Sequence, residues 1–350
     1  MRAVESIRRS FSPHELRMPT NDISVLIPAY NAEEFIVDAL ESVLRQTQLP
    51  REVLIINDGS SDQTFGVVKD WIEKTQSKYP VFILHTQDNK GIAAARNIGI
   101  SRASCRWIAL LDADDIWESN HLSELCAAAA QIPSAVATYG AGRLLVGAVV
   151  SEQYYDDFWD NPSRRFGMAI AESHFLRVGR TIVPRLIKGN FIKPSSLMLD
   201  RVVACEIGPF NETLRTSEDR EFLVRLVCKG DFVYSPMPIT QYRWHDNNLS
   251  QVKNAKRNSE NELRALLKLS QNEEFILNRN EQEACQIAIQ AAVKEYFYIC
   301  ACSGLRSYVS GMGFVRKMFE VKVLVTAISI RHILRSVASL GKIQLTNSNT

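Results

Sequence analysis

No stretch of this chain comes near the roughly 20 consecutive apolar residues that a bilayer-spanning helix needs. The first residues carry charge with no apolar run behind them, so they do not read as a secretory signal. A dominant charge is also missing: 41 Lys and Arg stand against 39 Asp and Glu, a formal net charge of +2. That excludes a protein built to coat nucleic acid, although a local basic patch stays open. Cysteine is sparse and unpatterned, with 7 residues at Cys105, Cys126, Cys205, Cys228, Cys285, Cys300 and Cys302. Only the last two lie close together, and no paired CxxC suggests zinc. Buried, reduced thiols in a cytoplasmic protein are the expectation. Neither GxGxxG nor GxxxxGK[ST] occurs, which disfavours dinucleotide and P-loop nucleotide binding. No repeat of solenoid period and no long low-complexity tract is present.

What is present suffices for one large core with an appendage: 350 residues, 46% of them hydrophobic. Residues 1–21 mix arginine, serine and proline without period and read as a lead-in. Order begins at Ile23, where a β-rich run reaches Pro28 and is expected to stop there. Asn31 then suits a helix cap, with Glu33 and Glu34 in a first turn whose dipole favours negative charge. The unit repeats with strands near 52–56, 81–84 and 107–111, and helices near 62–74 and 92–101. In the helix over 62–74, Phe65, Val68 and Ile72 are expected to face inward. Alternating strands and helices predict an α/β fold with a mainly parallel sheet covered on both faces. Ligands of such sheets bind beyond the carboxyl ends of the strands. Tyr30-Asn31, Asn57-Asp58-Gly59 and Asp112 to Asp115 all fall there.

The pattern then loosens. One or two strands are expected over 135–150, a strand over 196–199 and a helix over 219–229; residues 156–180 resist assignment. From about Asn254 the chain is rich in helix formers, and Phe314 to Leu340 is basic and amphipathic.

Leu111-Asp112-Ala113-Asp114-Asp115 sets three carboxylates at the end of an apolar strand, which is unfavourable unless a cation or hydrogen-bond donors neutralise them. A hard divalent ion that also bridges phosphates is one solution; a helix cap at Asp115 is the plainer one. Asp58-Gly59-Ser60-Ser61-Asp62 either receives hydrogen bonds from a base or sugar, or is an ordinary turn capped by Asp62. Asn89-Lys90-Gly91 with Arg96-Asn97 offers donors to a diphosphate or base, or is a solvated turn and helix face.

In this order and at this spacing, these segments resemble the donor half of family-2 inverting glycosyltransferases, which have a GT-A fold. The matching residues are Ile23-Ser24-Val25-Leu26-Ile27-Pro28-Ala29-Tyr30-Asn31, Asn57 to Asp62, Asn89-Lys90-Gly91 with Ala95-Arg96-Asn97-Ile98-Gly99, and Leu111 to Asp115. Phe210-Asn211-Glu212, Ser217-Glu218-Asp219 and Arg225 resemble the acceptor-side segment of that family. Tyr242-Arg243-Trp244-His245, trailing into Leu249-Ser250, resembles its closing segment. The resemblance implies a GT-A domain over 22–250, with a donor half to about 118 and an acceptor half from 119, followed by a helical appendage over 251–350.

It further implies that Pro28, Tyr30, Asn31, Asp58, Arg96, Asp112 and Ala113 contact the donor, with the Tyr30 ring stacked on the base. Asp114 is then a direct ligand of Mg²⁺ or Mn²⁺, with Asp112 beside it and His245 a further candidate ligand that also reads as a structural histidine. Asp219 would be the general base, its basicity raised by Glu218, although the same pair reads as a plain helix start. Trp117 and Trp244 are expected to be walls of the core or acceptor pocket.

The partners implied are a nucleotide-sugar donor, with UDP the expected nucleotide, and a saccharide or lipid-linked acceptor in surface polysaccharide or glycolipid synthesis. Nucleic acid is not among them. A metal-dependent nucleotidyltransferase and a non-catalytic carbohydrate-binding scaffold are the competing readings. The basic face within 310–350 either lies on the inner surface of a membrane, or packs on the domain or a second copy of the chain.

Overall fold

The computed structural model describes residues 22–75, 80–155, 157, 162–246, 248, 251–271, 276–318, 332 and 336. The expected lead-in over 1–21, the pair Leu249-Ser250 and most of the basic stretch over 314–340 lie outside them.

The first half is four parallel strands: β1 (Ile23–Ala29), β2 (Glu52–Asn57), β3 (Val81–Thr86) and β4 (Trp107–Leu110), ordered β3-β2-β1-β4. Helices α1 (Ile36–Leu44), α2 (Thr64–Thr75) and α3 (Ile92–Arg102) make the crossovers. Pro28 does not stop β1 but lies inside it, paired with Ile56. The reason is local. Leu111 donates to the Leu26 carbonyl, so even-numbered residues of β1 face β4, which ends at Leu110. The N–H that Pro28 lacks would have pointed where the neighbouring strand has already turned away.

Beyond β4 the sheet becomes mixed. β5 (Ile116–Trp117), α4 (His121–Gln131), β6 (Ala137–Val146) and β7 (Val149–Tyr154) are followed by α5 (Pro162–Phe166), β8 (Met168–Ala169), β9 (Leu176–Val178) and α6 (Val183–Lys188). Then come β10 (Leu197–Asp200), α7 (Arg201–Glu206), α8 (Glu218–Val227) and β11 (Phe232–Trp244). The order continues β4-β10-β6-β11-β9-β8, and β10 runs antiparallel to both β4 and β6. The parallel arrangement read from the sequence thus holds for β1–β4 and for the β6/β11 pair, within a mixed sheet covered by helices on both faces.

Strand alternation divides the interior. Leu26, Leu54, Ile56, Ile108 and Leu110 face one core with α3, while Val25, Ile27, Val53, Ile55 and Ala109 face the other with α1. The inward face of α2 is rotated from expectation: Thr64, Val68 and Trp71 are buried and Phe65 is exposed. Two polar contacts set that rotation. The Trp71 indole donates to Glu41, and the Thr64 hydroxyl accepts from the Ala32 amide. Among the cysteines, Cys205 and Cys302 are exposed, contrary to the expectation of uniform burial; the others are buried or half-buried, and all seven are free thiols.

The C-terminal helices α9 (Ala255–Gln271), α10 (Arg279–Cys302) and α11 (Leu305–Met318) are not set apart from the domain. Leu263, Cys285, Phe297 and Val315 belong to the same core as Leu26 and Phe222, and α10 lies against α6. A capping box of Asn278 and Glu281 opens α10, and Glu281 also pairs with Arg180 at 2.7 Å.

Gly99 is where α3 touches the sheet: a Cβ there would stand 2.0 Å from a Leu26 methyl. Leu26 is itself fully enclosed and cannot swing away. Gly99→Ala should therefore cost about 1–3 kcal/mol of overpacking, read as a lower denaturant midpoint. Unchanged stability would contradict this packing.

Candidate functional site

The ends of β1, β2 and β4 carry three loops that are tied to one another. Asn31 is not a helix cap, as expected, because α1 begins five residues later at Ile36. It holds a left-handed backbone (φ 48°) and accepts the Ser61 amide at 2.8 Å, while its own amide donates to the Ser60 hydroxyl. Glu33 accepts the Gln63 amide, and the Glu33 amide donates to Asp62. Burial alone would raise the Asp62 carboxyl, but hydrogen bonds from Thr64 and Glu33 outweigh it and hold it below its ordinary value.

Asp58 is buried and accepts from the Gln87 side chain and the amides of Lys90 and Gly91, at 2.6, 2.9 and 2.7 Å. Its Oδ2 takes only one of these and retains capacity for another donor. Gly59 (φ +65°) lets this turn close on the next one: a Cβ there would lie 2.7 Å from the Asn89 amide nitrogen. Tyr30 projects from the end of β1 and is 52% exposed, whereas Pro28 is buried.

The acidic loop alternates as a strand would. Asp112 and Asp114 are part-exposed, while Ala113 and Asp115 turn inward. Asp115 is not the cap of a following helix. It accepts from the Ser195 hydroxyl and from the Arg243 amide, which ties the loop to β11. Burial, then the charges of Asp114 and Asp112, push its carboxyl well above the usual range. Asp114 Oδ2 accepts from His245 Nε2 at 3.0 Å, and the His245 ring rests on Phe35 at 4.6 Å between centroids. Asn248 also reaches Asp114, at 3.4 Å.

Arg96, expected at the donor, is turned inward. Its guanidinium donates to Asp112 at 2.8 Å and to Glu218 at 2.7 Å, lies 5.5 Å from the Phe210 ring centroid, and is 1% exposed. Asn97, read with it as a donor contact, instead bonds the backbone of Phe210 and the Glu212 carboxylate. Both residues clamp the 210–218 segment to α3. Burial would lower the Arg96 pKa, but Asp112, Glu218 and Asp219 raise it.

The first turn of α8 carries Glu218 and Asp219. Glu218 is buried; desolvation and the Asp219 charge raise its carboxyl while Arg96 opposes them. Asp219 is half-exposed and accepts from the Asn190 side chain and the Arg220 amide, both at 2.7 Å. Asp112 links the two carboxylate sets: burial raises its pKa, Arg96 works against that, and the charges of Asp114 and Asp219 both add to it.

Trp117 is a core wall, its indole donating to the Ser195 carbonyl, while Trp244 is 44% exposed. Sequence reading missed Asn190, Ser195 and Asn248. Each is a small polar residue outside the strands and α-helices, whose partner lies far away in the chain, and nothing in local spacing marks it.

Among the described residues, no three His, Cys, Asp or Glu side chains stand close enough to hold a metal by themselves. The part-exposed Asp114–His245 pair nevertheless offers an oxygen and a nitrogen ligand at one edge. That suits a cation completed by phosphate oxygens and water.

The mixed sheet with helices on both sides is the GT-A fold of nucleotide-diphospho-sugar transferases. Residues 24–167 match the glycosyl transferase family 2 model. An uncharacterized glycosyltransferase of Haemophilus influenzae is 25% identical over 240 residues, 67% of this chain and 69% of the relative. The UDP-Glc:alpha-D-GlcNAc-diphosphoundecaprenol beta-1,3-glucosyltransferase WfgD of Escherichia coli is 42% identical over 100 residues, 29% of this chain and 38% of that protein. The match to WfgD thus spans well under half the length of that relative. The crystal structure of S. aureus TarS 1-349 in complex with UDP-GlcNAc superposes with a TM-score of 0.60 at 15% identity, over 88% of this chain and 84% of that 1-349 chain.

Removing one side of the Arg96 bridge leaves buried carboxylates uncompensated. Arg96→Met should cost about 3–5 kcal/mol in chemical denaturation. Glu218→Gln tests the other side through pH. A carboxyl raised on folding stabilises the chain below its unfolded pKa and loses that contribution as pH rises through its folded value. The stability of Glu218→Gln relative to the unsubstituted chain should therefore improve as pH climbs from about 4. A pH-independent difference would contradict a raised Glu218.

Proposed function

We propose that the chain transfers a sugar from a nucleoside-diphosphate sugar, a UDP-sugar, to an acceptor hydroxyl with inversion. The observation that carries this reading is the Arg96 bridge, which ties Asp112, two residues before Asp114, to Glu218, the neighbour of Asp219. Tyr30 stacks on the base and Asp58 accepts a donor from it through the free capacity of Oδ2. Asp114 and His245 hold a Mg²⁺ or Mn²⁺ ion, with Asp112 beside them. Such an ion, when bound, stabilises the charge that develops on the departing diphosphate.

Asp219 accepts the proton of the attacking hydroxyl. Each of its oxygens receives one hydrogen bond, from Arg220 or Asn190, and each keeps a lone-pair direction for the acceptor. An aspartate with an ordinary pKa of about 3.9 is a weak base for an alcohol. Beside it, burial and the Asp219 charge raise the Glu218 carboxyl. Asn190 and the Arg220 amide fix the carboxylate plane, which sets the direction of attack.

The acceptor belongs to surface polysaccharide or glycolipid synthesis, consistent with the lipid-diphosphate sugar named for WfgD. Among the described residues, no helix is long and apolar enough to cross a membrane. In this reading the transferase acts from the cytoplasm and meets lipid-linked acceptors at the inner face of the membrane.

Asp219→Asn should lower transfer by about 10²-fold or more, with protection of the fold by nucleotide sugar kept within a few-fold. Screening a panel of nucleotide sugars for thermal protection identifies the donor. Transfer by Asp219→Asn equal to that of the unsubstituted chain would remove Asp219 as base. Absence of transfer and of protection with every donor would favour a scaffold.

A further inference from the structure

The segment from Phe210 to Glu218 carries one side chain across to the donor loops. Asn97 holds the start of this segment at Phe210 and Glu212, and Arg96 holds its end at Glu218. Between these anchors Leu214 is buried, and the Arg215 amide donates to Asn261 Oδ1 at 3.2 Å. With its backbone so held, the exposed Arg215 lays its guanidinium on Gly91. A Cβ built on that glycine would run into Nη1 and stand 3.2 Å from Cζ. Among the described residues the guanidinium makes no hydrogen bond and no ion pair. Gly91 is also the residue whose amide donates to Asp58 Oδ2, at 2.7 Å. One glycine thus touches both an unengaged fork of donors and a carboxylate oxygen with room for a further donor.

The sheet order tells which part of a nucleotide would meet this pair. Asp58 follows β2 and Asp114 lies in the loop after β4, with β1 between those strands. Two strand spacings separate their strands, about 10 Å. Gly91 follows β3, on the far side of β2 from β4. Arg215 therefore stands with Asp58, on the base side, and away from the diphosphate edge. Arg96, which the resemblance placed at the donor, is turned inward and spent on Asp112 and Glu218.

A base edge that gives a proton to Asp58 and takes one from Arg215 must carry N–H beside C=O. Uracil and guanine have that edge. Cytosine and adenine set a bare ring nitrogen beside an amino group, so a lone pair would face the carboxylate and an N–H would face the cation.

We propose that Arg215 is a second base-reading residue, donating to the ring carbonyl next to the N–H that Asp58 accepts, and that the pair selects donors whose base carries this lactam edge. The proposal rests on the transfer reading of the cleft and adds to it the residue that discriminates among nucleotides.

The test is calorimetry of UDP against CDP, and of GDP against ADP, with Mg²⁺ present. The unsubstituted chain should bind UDP or GDP about tenfold or more tightly than its amino-edged counterpart, and which of the two it binds tells a pyrimidine site from a purine site. Arg215→Met, at an exposed position, should keep the denaturant midpoint. It should weaken the preferred nucleotide about tenfold and its counterpart by no more than about twofold. Arg215→Lys should restore part of the preference, since an ammonium still donates to a carbonyl. Equal weakening of both members of a pair by Arg215→Met would place the guanidinium on phosphate, and unchanged binding would leave it in solvent; either overturns the proposal. Binding that lacks an Arg215-dependent preference sinks the proposal alone. Failure of the unsubstituted chain to bind any of the four nucleotides sinks the transfer reading with it.

Discussion

The interaction on which this arrangement depends is the buried bridge from Arg96 to Asp112 and Glu218. It joins the loop after β4 to the first turn of α8, and Arg96 and Glu218 are 122 positions apart in the chain. A guanidinium suits the task because its planar fork meets two carboxylates at once and keeps its charge when buried. Without it, Asp112 and Glu218 would be two desolvated like charges, and one or both would take up protons. With it, the acidic edge near Asp114 and the carboxylate of Asp219 have fixed relative positions. Preorganisation of this kind is what a displacement reaction needs, since attack and departure must lie in line.

The remaining contacts around the cleft extend the same solution. Asp115 gives up solvent to join Ser195 and the Arg243 amide, and Ser195 in turn receives Trp117 and Thr240 on its carbonyl. The acidic loop, β5 and β11 thereby meet at one buried serine. The C-terminal helices add mass behind α6 and α8, and so support the turn that carries Asp219 from the far side.

Much of the donor half was legible in the sequence because its determinants are local. Buried parallel strands announce themselves as short apolar runs, and Asp58, Gly59 and the acidic loop follow them at fixed offsets. The misreadings share a cause. Pro28 reads as a stop only if both neighbours of β1 are assumed to continue, and β4 does not. Phe65 was assigned from helix periodicity, but the contact of α2 with α1 through Trp71 and Glu41 decided the phase, and Asn31 was read as a cap although α1 begins only at Ile36. Arg96 and Asn97 look like ligand donors on an exposed helix face until the 210–218 segment covers them. The acceptor half was less legible, because Asn190, Ser195 and Asn248 gain meaning only from partners distant in the chain, Asp219, Asp115 and Asp114.

The central claim is spatial: one cleft receives a nucleotide sugar with its diphosphate at Asp114 and its anomeric carbon facing Asp219. A crystal structure of the chain with an intact nucleotide sugar and Mn²⁺ measures this directly. The expected result is an anomalous peak within bonding distance of the Asp114 carboxylate, the base beside Tyr30 and Asp58, and the sugar carbon open toward Asp219. A nucleotide bound with its diphosphate remote from Asp114, or a sugar turned so that Asp219 faces no reacting carbon, would contradict it.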